Sequence, residues 1–300
     1  MRNSFKHFLN LSDLKTKDLN VILEESHRIK KGKGKKFKKK KILAMIFEKP
    51  STRTRVSFEV GMKLLNGDVV ILDTNESQIG RGESLEDTMR VLSRYVDIVV
   101  YRGASEDKLY NLADLSTVPL INGLTDRSHP CQILADIMTL QEKFKSIEKL
   151  KICWIGDGNN VCNSWIHSCD HFGYEFNISC PPGNFPSENI IGQIKSKKVK
   201  FFKKPSEAVV GADVVITDTW VSMGMVNDPK RIKKFKNFQI NNELIKKSKK
   251  NTFFLHCLPA HRGCEVTDEV IDGKSSLVWD EAENRLYAHQ ALLLWCLKEI

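Results

Sequence analysis

The stretch Ile42-Leu43-Ala44-Met45-Ile46-Phe47-Glu48-Lys49-Pro50-Ser51-Thr52-Arg53-Thr54-Arg55 contains the unit from which we expect this chain to be built. Its first six residues are apolar and predict a buried strand. The apolar spacing from Val56 to Leu65, which stops at Asn66-Gly67, predicts a helix. A strand that leads through a polar turn into a helix is typical of α/β proteins.

The turn between this strand and this helix is rich in groups that bind anions. Ser51, Thr52 and Thr54 offer hydroxyl donors, and Arg53 and Arg55 offer forked positive charge. Free backbone N–H groups and the positive end of the helix dipole favour the same ligand. One alternative is that Ser51 or Thr52 only caps the helix. Two arginines among three hydroxyls favour a phosphate site instead.

Apolar runs alternate with amphipathic runs along the rest of the chain, which predicts βαβ units and parallel sheets. In the first half the predicted strands are 42–47, 69–73, 97–101 and 118–121, and the predicted helices are 53–65, 85–95 and 107–115. A helix at about 130–144 leads to predicted strands at 151–155, 176–180, 199–202, 214–217, 253–256 and 277–279. The last predicted helix covers about 285–298.

We therefore predict an α/β protein of two doubly wound parallel-sheet domains, with the active site in the cleft between them. The predicted domains are residues 1–144 and 145–284, and we expect the last helix, about 285–300, to pack back on the first domain. In such sheets ligands bind beyond the C-terminal ends of the strands. The polar clusters described below all lie at such ends or at the helix starts that follow them.

The excess positive charge of the chain is local. The formal net charge is +10, but the segment from Arg28 to Lys41 holds ten Lys or Arg residues and no acid. Outside this segment 37 basic and 37 acidic residues balance. We interpret the segment as a solvated connector, in preference to a nucleic-acid-binding surface, because it abuts a buried strand and contains one aromatic residue.

The eight cysteines have no paired spacing, which favours reduced thiols over disulfides. The Cys162, His167, Cys169 and His171 side chains would occupy different faces of a helix, so we expect no metal site there. No apolar stretch is long enough to span a membrane, and the N-terminal residues show no signal-peptide core. We expect a cytoplasmic protein with no membrane partner.

The Ser51-Thr52-Arg53-Thr54 turn resembles the carbamoyl phosphate loop of the aspartate and ornithine transcarbamoylase family. Arg102, at the end of a predicted strand, and His129 and Gln132, at the start of the long helix, match family residues that hold the carbamoyl oxygen and the phosphate. Gln78 lies in a loop similar to one that reaches a neighbouring subunit's site. Arg285 corresponds to a family arginine that contacts carbamoyl phosphate.

Three motifs in the second half resemble the ornithine branch of this family. In Gly156-Asp157-Gly158-Asn159-Asn160-Val161-Cys162-Asn163-Ser164 the third glycine of a dinucleotide fingerprint is absent, and the segment instead resembles one whose last asparagine binds the amino acid's carboxylate. Asp218-Thr219-Trp220-Val221-Ser222-Met223-Gly224 resembles the segment associated with ornithine. His256-Cys257-Leu258-Pro259 resembles the His-Cys-Leu-Pro signature. Its Leu258–Pro259 bond is a candidate for the cis form, but the sequence does not decide between cis and trans.

The resemblance implies transfer of the carbamoyl group from carbamoyl phosphate to the side-chain amine of L-ornithine, which gives L-citrulline and phosphate. It implies no metal and no organic cofactor, a homotrimer, carbamoyl phosphate binding by residues 1–144 and ornithine binding by residues 145–284. The implied carbamoyl phosphate residues are Ser51, Thr52, Arg53, Thr54, Gln78, Arg102, His129, Gln132, Cys257, Leu258 and Arg285. The implied ornithine residues are Asn163, Asp218, Ser222 and Met223. The implied catalytic residues are Arg102, His129, Gln132, Asp218, Cys257 and Arg285.

Three alternatives remain open at this point. Another transcarbamoylase would use aspartate, putrescine or acetylornithine as the acceptor, which Ser222-Met223-Gly224 and His256-Cys257 disfavour. A nicotinamide-dependent dehydrogenase would need the missing third glycine. A nucleic-acid-binding protein would depend on the lysine-rich segment, and its binding would weaken steeply with salt.

Overall fold

The computed structural model describes residues 6–73, 82–221 and 228–300. Gln78, Ser222 and Met223, which the sequence places in the site, lie outside these described residues. The chain divides into two units. Unit 1 comprises Met1–Met138 and Asn284–Ile300, and unit 2 comprises Thr139–Glu283.

Unit 1 is built on a four-stranded parallel sheet in the order β2-β1-β3-β4. Its strands are β1 (Ile42–Phe47), β2 (Asp68–Asp73), β3 (Ile98–Arg102) and β4 (Leu120–Leu124). Its helices are α1 (Thr16–Lys30), α2 (Thr52–Leu64), α3 (Leu85–Leu92) and α4 (Glu106–Leu115), and α5 (Pro130–Lys143) begins in it. The chain moves outward to β2 on one side of β1 and to β3 and β4 on the other. The switch point of this sheet therefore lies between β1 and β3, where open α/β sheets bind ligands.

Unit 2 has a five-stranded parallel sheet in the order β7-β6-β5-β8-β9. Its strands are β5 (Lys151–Ile155), β6 (Glu175–Ser179), β7 (Val199–Phe202), β8 (Val214–Thr217) and β9 (Phe253–His256). Its helices are α6 (Asn160–Phe172), α7 (Glu188–Gly192), α8 (Pro205–Ala208), α9 (Pro229–Phe235), α10 (Asn242–Ile245) and α11 (Asp268–Ile271). The last helix, α12 (Val278–Cys296), begins in unit 2 and ends in unit 1. The switch point of this second sheet lies between β5 and β8.

The predicted fold class, two α/β domains with parallel sheets, is confirmed. The central strands are buried on both faces, as in Leu43, Ala44, Met45 and Ile46, which are fully inaccessible to solvent. Parallel strands covered on both faces give continuous apolar runs, which is why the sequence located them well. Ser84 caps α3, because its side chain accepts a hydrogen bond from Asp87 N at 3.1 Å.

The strand predicted at residues 277–279 is wrong, because α12 begins at Val278. Leu277 and Val278 are buried, and Asp280 and Glu281 follow in the first helical turn. Carboxylates near a helix N-terminus are stabilised by the helix dipole, and the short apolar run is the entry to the helix. A short apolar run alone does not distinguish a strand from a buried helical turn.

The lysine-rich segment runs from the last turn of α1 to β1. Phe37 in its middle is only 5% exposed, and its N–H donates to Leu65 O. Lys40 and Lys41, at its end, form ion pairs with Asp68 and Asp97 at 2.6 and 3.1 Å. The connector is therefore anchored to unit 1, and its lack of a nucleic-acid partner stays a prediction.

All eight cysteines, each within the described ranges, carry free thiols. Seven of them have a raised pKa, in each case chiefly because burial disfavours the thiolate; they are Cys131, Cys153, Cys162, Cys169, Cys180, Cys264 and Cys296. Among the described residues, none of the helices combines the length and the apolar composition needed to cross a bilayer.

Candidate active site

The first cluster of site residues lies where β1 and β3 end in unit 1. Ser51 occupies the N-cap position of α2 with an extended backbone, yet its side chain makes no capping hydrogen bond among the described residues. Thr52 is exposed, and Ser51 and Arg53 are half-buried. The capping interpretation of this turn therefore fails for Ser51. Its hydroxyl and the first N–H groups of α2 are the groups that a helix N-terminus offers to an anion.

Thr54, in the first turn of α2, accepts hydrogen bonds from two guanidinium groups. Its Oγ1 accepts hydrogen bonds from Arg285 Nη2 at 2.7 Å and from Arg102 Nη1 at 3.4 Å. Arg285 also donates from Nη1 to Gln132 Oε1 at 3.0 Å, and Gln132 donates from Nε2 to Asp136 Oδ1 at 2.8 Å. Thr54, Arg102, Gln132 and Arg285 are each at most 3% exposed. Side chains from four separate segments are thus locked in one network.

His129 joins this cluster from the residue before α5. It is 4% exposed, and its pKa is held well below the ordinary value, first by burial and then by the positive charges of Arg285, Arg102 and other neighbours. The imidazole is therefore neutral near pH 7. A neutral imidazole donates one N–H, and can polarise a carbonyl oxygen without carrying a positive charge of its own.

The unit 1 cluster has the chemistry of a site for a phosphate that carries a carbonyl group. Guanidinium groups bind phosphate oxygens through paired hydrogen bonds, and a helix N-terminus adds further donors. The neutral His129 and the amide of Gln132 supply groups of the kind that stabilise negative charge as it develops on a carbonyl oxygen. The structure brings together Thr54, Arg102, His129, Gln132 and Arg285 of the predicted residues.

The second cluster lies in unit 2, where β5 and β8 end at the switch point of its sheet. Asp218 is the first residue after β8 and is 7% exposed. Its carboxylate accepts from Asn159 Nδ2 at 2.6 Å, from Thr219 N at 2.7 Å and from the Cys257 thiol at 3.1 Å. A carboxylate has about four lone-pair sites, so three donors leave room for one more. This arrangement suits an incoming ammonium group.

Asn159 is a further candidate site residue, which was not predicted from the sequence. It is the N-cap of α6, and its Oδ1 accepts from Val161 N and Cys162 N at 3.0 and 3.1 Å while its Nδ2 holds Asp218. An asparagine at a helix start that follows a strand was the available signal. Asn163, in the first turn of the same helix, is 7% exposed, which places it on the buried side of α6 near this end.

The loop after β9 carries Cys257 and Leu258, so both residues belong to unit 2 beside Asp218. The Leu258–Pro259 bond is cis. His256 Nδ1 accepts from Leu258 N at 2.9 Å, and its Nε2 pairs with Glu265 Oε1 at 3.2 Å. Both His256 nitrogens are therefore used to hold this loop.

Within the described ranges, Asp218, His256 and Cys257 bring possible metal-ligand atoms within 4.8 Å of one another. The imidazole of His256 has no lone pair left for an ion in this arrangement, since Nδ1 accepts a backbone hydrogen bond and Nε2 donates to Glu265. The Asp218 carboxylate likewise receives the Cys257 S–H. The group fits a hydrogen-bonded loop anchor better than a metal site, and the expectation of no metal stays a prediction.

Gly158, in the incomplete glycine motif, packs against the loop at residues 184–186. A Cβ at this position would lie 2.4 Å from Pro186 N and 2.6 Å from the Phe185 carbonyl carbon. Gly158 N also donates to Asn184 O at 2.8 Å. The glycine is needed because the 184–186 loop packs against it, so protein backbone occupies the space next to this turn.

Comparison with known proteins matches both halves of the chain to one family. Residues 6–142 match the family description "Aspartate/ornithine carbamoyltransferase, carbamoyl-P binding domain", and residues 148–296 match "Aspartate/ornithine carbamoyltransferase, Asp/Orn binding domain". The chain is 48% identical over 307 residues to the ornithine carbamoyltransferase of Rhodopseudomonas palustris (strain BisA53), and the match covers 99% of this chain and 98% of that protein.

Solved structures of two similar proteins share the fold. An ornithine carbamoyltransferase from Pyrococcus furiosus matches with a TM-score of 0.92 and 43% identity over 98% of each chain. The anabolic ornithine carbamoyltransferase from Campylobacter jejuni matches with a TM-score of 0.90 and 37% identity, over 98% of this chain and all of the other. The similarity therefore extends over both units.

Proposed function

Because the chain belongs to the aspartate/ornithine carbamoyltransferase family, we propose that unit 1 binds carbamoyl phosphate through its buried arginine cluster and that unit 2 binds L-ornithine through Asp218 and its neighbours. The reaction is transfer of the carbamoyl group from carbamoyl phosphate to the side-chain amine of L-ornithine, which releases L-citrulline and phosphate. An aspartate, putrescine or acetylornithine acceptor is not favoured by these relatives.

The observation that carries the unit 1 assignment is the convergence of Arg102 and Arg285 on Thr54 Oγ1, beside the N-terminus of α2 and the neutral His129. Ser51, Thr52, Arg53 and Thr54 hold the phosphate and stabilise it as it leaves. Arg102, His129, Gln132 and Arg285 hold the carbonyl oxygen, on which negative charge develops when the amine attacks. Gln78, as the resemblance implies, adds a contact from a neighbouring copy.

In unit 2 the acceptor is held at its two charged ends. Asp218 binds the α-ammonium, Asn163 binds the α-carboxylate, and Ser222 and Met223 complete this set as the resemblance implies. The δ-amine must lose a proton before it attacks, because a free alkyl amine has a pKa of about 10.4. Cys257, whose thiol already donates to Asp218, orients the neutral amine, and the Leu258 backbone contributes to the carbamoyl end. Positioning and electrostatic stabilisation supply the catalysis.

The test compares citrulline-type product formation with four acceptors, namely L-ornithine, aspartate, putrescine and acetylornithine. The proposal expects product with ornithine and a much lower kcat/KM with the other three. Arg53→Ala should abolish carbamoyl phosphate binding while circular dichroism remains that of the folded chain. Efficient turnover of another acceptor, or normal carbamoyl phosphate binding by the variant, would contradict the assignment.

The quaternary state belongs to the same proposal. We expect a homotrimer, and one face of α2 supports an interface between copies. Val56, Val60 and Leu64 follow one another at i, i+4 and i+8 and are 51%, 38% and 50% exposed. An apolar stripe of this kind on a surface helix is typical of a protein–protein contact.

A cytoplasmic location is the last element of the proposal. Its support is the eight cysteines that carry free thiols, because thiols remain reduced in the cytosol.

A further inference from the structure

We propose that Glu106 is a positioning residue for His129, and that it acts through the buried hydroxyl of Ser128. The inference rests on the proposed function in one respect, which is that His129 contacts the carbamoyl oxygen. Glu106 is the first residue of α4. It does not belong to the proposed phosphate-binding cluster of unit 1. Its link to His129 is the loop between β4 and α5.

This loop, residues 125–129, is closed by hydrogen bonds that leave it little freedom. Thr125 N donates to Ser128 O at 2.9 Å, and Asp126 N donates to Ala104 O at 3.1 Å. Asp126 in turn accepts from Glu106 N at 3.0 Å through its Oδ1. The backbone N–H and the side chain of Asp126 therefore both fasten the loop to the segment where α4 begins.

One buried carboxylate oxygen, Glu106 Oε1, accepts hydrogen bonds from two side chains of the same loop. Glu106 is 9% exposed, and its Oε1 accepts from the Ser128 hydroxyl, from Thr125 Oγ1 at 3.4 Å and from Asn10 Nδ2 at 3.5 Å. Ser128 and Thr125 are fully buried. Because ionised carboxylate oxygens only accept, each of these donors is oriented toward Glu106.

Ser128 is the link between this carboxylate and the imidazole. Its Oγ donates to Glu106 and also accepts from Asn122 Nδ2 at 2.9 Å, and Asn122 Nδ2 donates to Leu9 O at 2.7 Å. Ser128 directly precedes His129, which lies at the start of α5. Because the Ser128 hydroxyl both donates and accepts a hydrogen bond, the Ser128 side chain is held in place. It thereby fixes the backbone next to His129.

The position of this carboxylate is costly, which argues for a role beyond packing. Burial raises the pKa of the Glu106 carboxyl, and the hydrogen bond from Ser128 offsets part of that shift. A buried charge is unfavourable unless its hydrogen bonds repay the desolvation. Here two of the hydrogen bonds that offset the desolvation come from Ser128 and Thr125, in the loop that precedes His129. The buried carboxylate and the position of the imidazole are therefore linked through this loop.

A kinetic double-mutant cycle tests the proposal on the full-length protein. Glu106→Ala should lower kcat about tenfold and change the KM for carbamoyl phosphate less than threefold. The same substitution in a His129→Ala background should change kcat less than twofold, because the imidazole it positions is gone. Glu106→Gln, which retains an acceptor oxygen, should recover most of the lost activity. An equal loss of kcat in both backgrounds would overturn the proposal.

Glu25→Gln is the matched control. Glu25 is another buried carboxylate of unit 1, 5% exposed, and it accepts from Lys35 N rather than from the His129 loop. This control should lower the melting temperature and leave kcat unchanged. If Glu106→Ala does not fold, Ser128→Ala replaces it in the cycle, with the same expected loss of kcat only when His129 is present.

The kinetics of the single variants distinguish failure of the proposed function from failure of the positioning role. Normal kcat in the His129→Ala single variant would refute the catalytic role of His129 itself. A large loss in that variant together with wild-type kcat in Glu106→Ala would refute the positioning role alone.

Discussion

Arg285 donates from Nη2 to Thr54 Oγ1 across 2.7 Å, and so joins the last helix of the chain to the first turn of α2. The two residues are 231 positions apart in sequence. Both are almost fully buried, and one helical turn further along His289 donates or accepts at Ser57 Oγ over 2.9 Å and stacks on Phe58 at 3.9 Å. The contact between α12 and α2 thus brings the Arg285 guanidinium to the turn that we propose binds phosphate.

Thr54→Val removes the oxygen that Arg285 and Arg102 share while it preserves the shape of the side chain. We expect kcat/KM for carbamoyl phosphate to fall about thirtyfold, since a hydrogen bond to a charged group contributes about 2 kcal/mol and 1.36 kcal/mol is a factor of ten. Steady-state kinetics at saturating ornithine measure the change. Thr54→Ser, which keeps the hydroxyl, should stay within threefold of the wild type. A valine variant as active as the serine variant would mean that the shared oxygen does not matter.

The local part of this site was predictable from the sequence pattern, whereas the long-range part was implied only by the family resemblance. The turn at Ser51 to Thr54 follows an apolar strand and precedes a helix, so its residue types and its position are both visible in the sequence. Thr54 and Arg285 meet because α12 packs on α2, and spacing along the chain does not encode that contact. Glu106 and Ser128, which are 22 positions apart, meet for the same kind of reason.

Asn159 shows a different limit. Its N-cap role follows from sequence pattern, but its Nδ2 contact with Asp218 depends on β8 lying next to β5 in the sheet. The start of α12 was missed because three apolar residues before an acidic run suit either a short strand or a helix entry. Strands buried on both faces, by contrast, were located within three residues at each end.

Asn159→Ser should separate the two roles of Asn159. Serine is a good N-cap, so the melting temperature should stay close to that of the wild type, whereas Asp218 loses its 2.6 Å donor. We expect the KM for ornithine to rise about tenfold, from the loss of about 1.4 kcal/mol in one hydrogen bond. Asn159→Ala should raise that KM similarly and also cost about 1 kcal/mol of stability. An unchanged ornithine KM in the serine variant would contradict the role assigned to Asn159.

The stability of the chain should fall on acidification below about pH 6.5. The pKa values of His7, His129 and His289 are lowered in the folded chain, chiefly by burial, so the unfolded chain binds more protons between those lowered values and its own value of about 6.5. Each histidine then contributes up to about 1.4 kcal/mol per pH unit, and stability rises with pH until about 6.5. Glu106 and Asp157 have pKa values that burial raises, so at pH values just above the ordinary carboxyl pKa the folded chain binds more protons than the unfolded chain. In that pH range these two groups make stability fall as the pH rises, opposite to the histidines.

Urea unfolding of wild type and His289→Gln, at several pH values and a fixed protein concentration, measures this contribution. The pH slope of the unfolding free energy between pH 5 and 6.5 should be smaller in the variant by up to about 1.4 kcal/mol per pH unit. Parallel slopes for wild type and His289→Gln would show that His289 does not titrate differently on folding.

Val60→Asp should dissociate the proposed trimer. Val60 is the middle residue of the apolar stripe on α2, between Val56 and Leu64, and its side chain is 38% exposed in the single chain. A charge buried in the centre of an apolar interface has no partner and costs several kcal/mol, whereas the same charge on a free surface is solvated. Sedimentation analysis should therefore show a shift from about 103 kDa, three times the 34.3 kDa chain, toward 34.3 kDa. Val210→Asp is the matched control, since Val210 is 56% exposed in unit 2, and it should leave the mass unchanged. If Val60→Asp sediments like the wild type while both remain folded, the stripe on α2 is not the contact between copies.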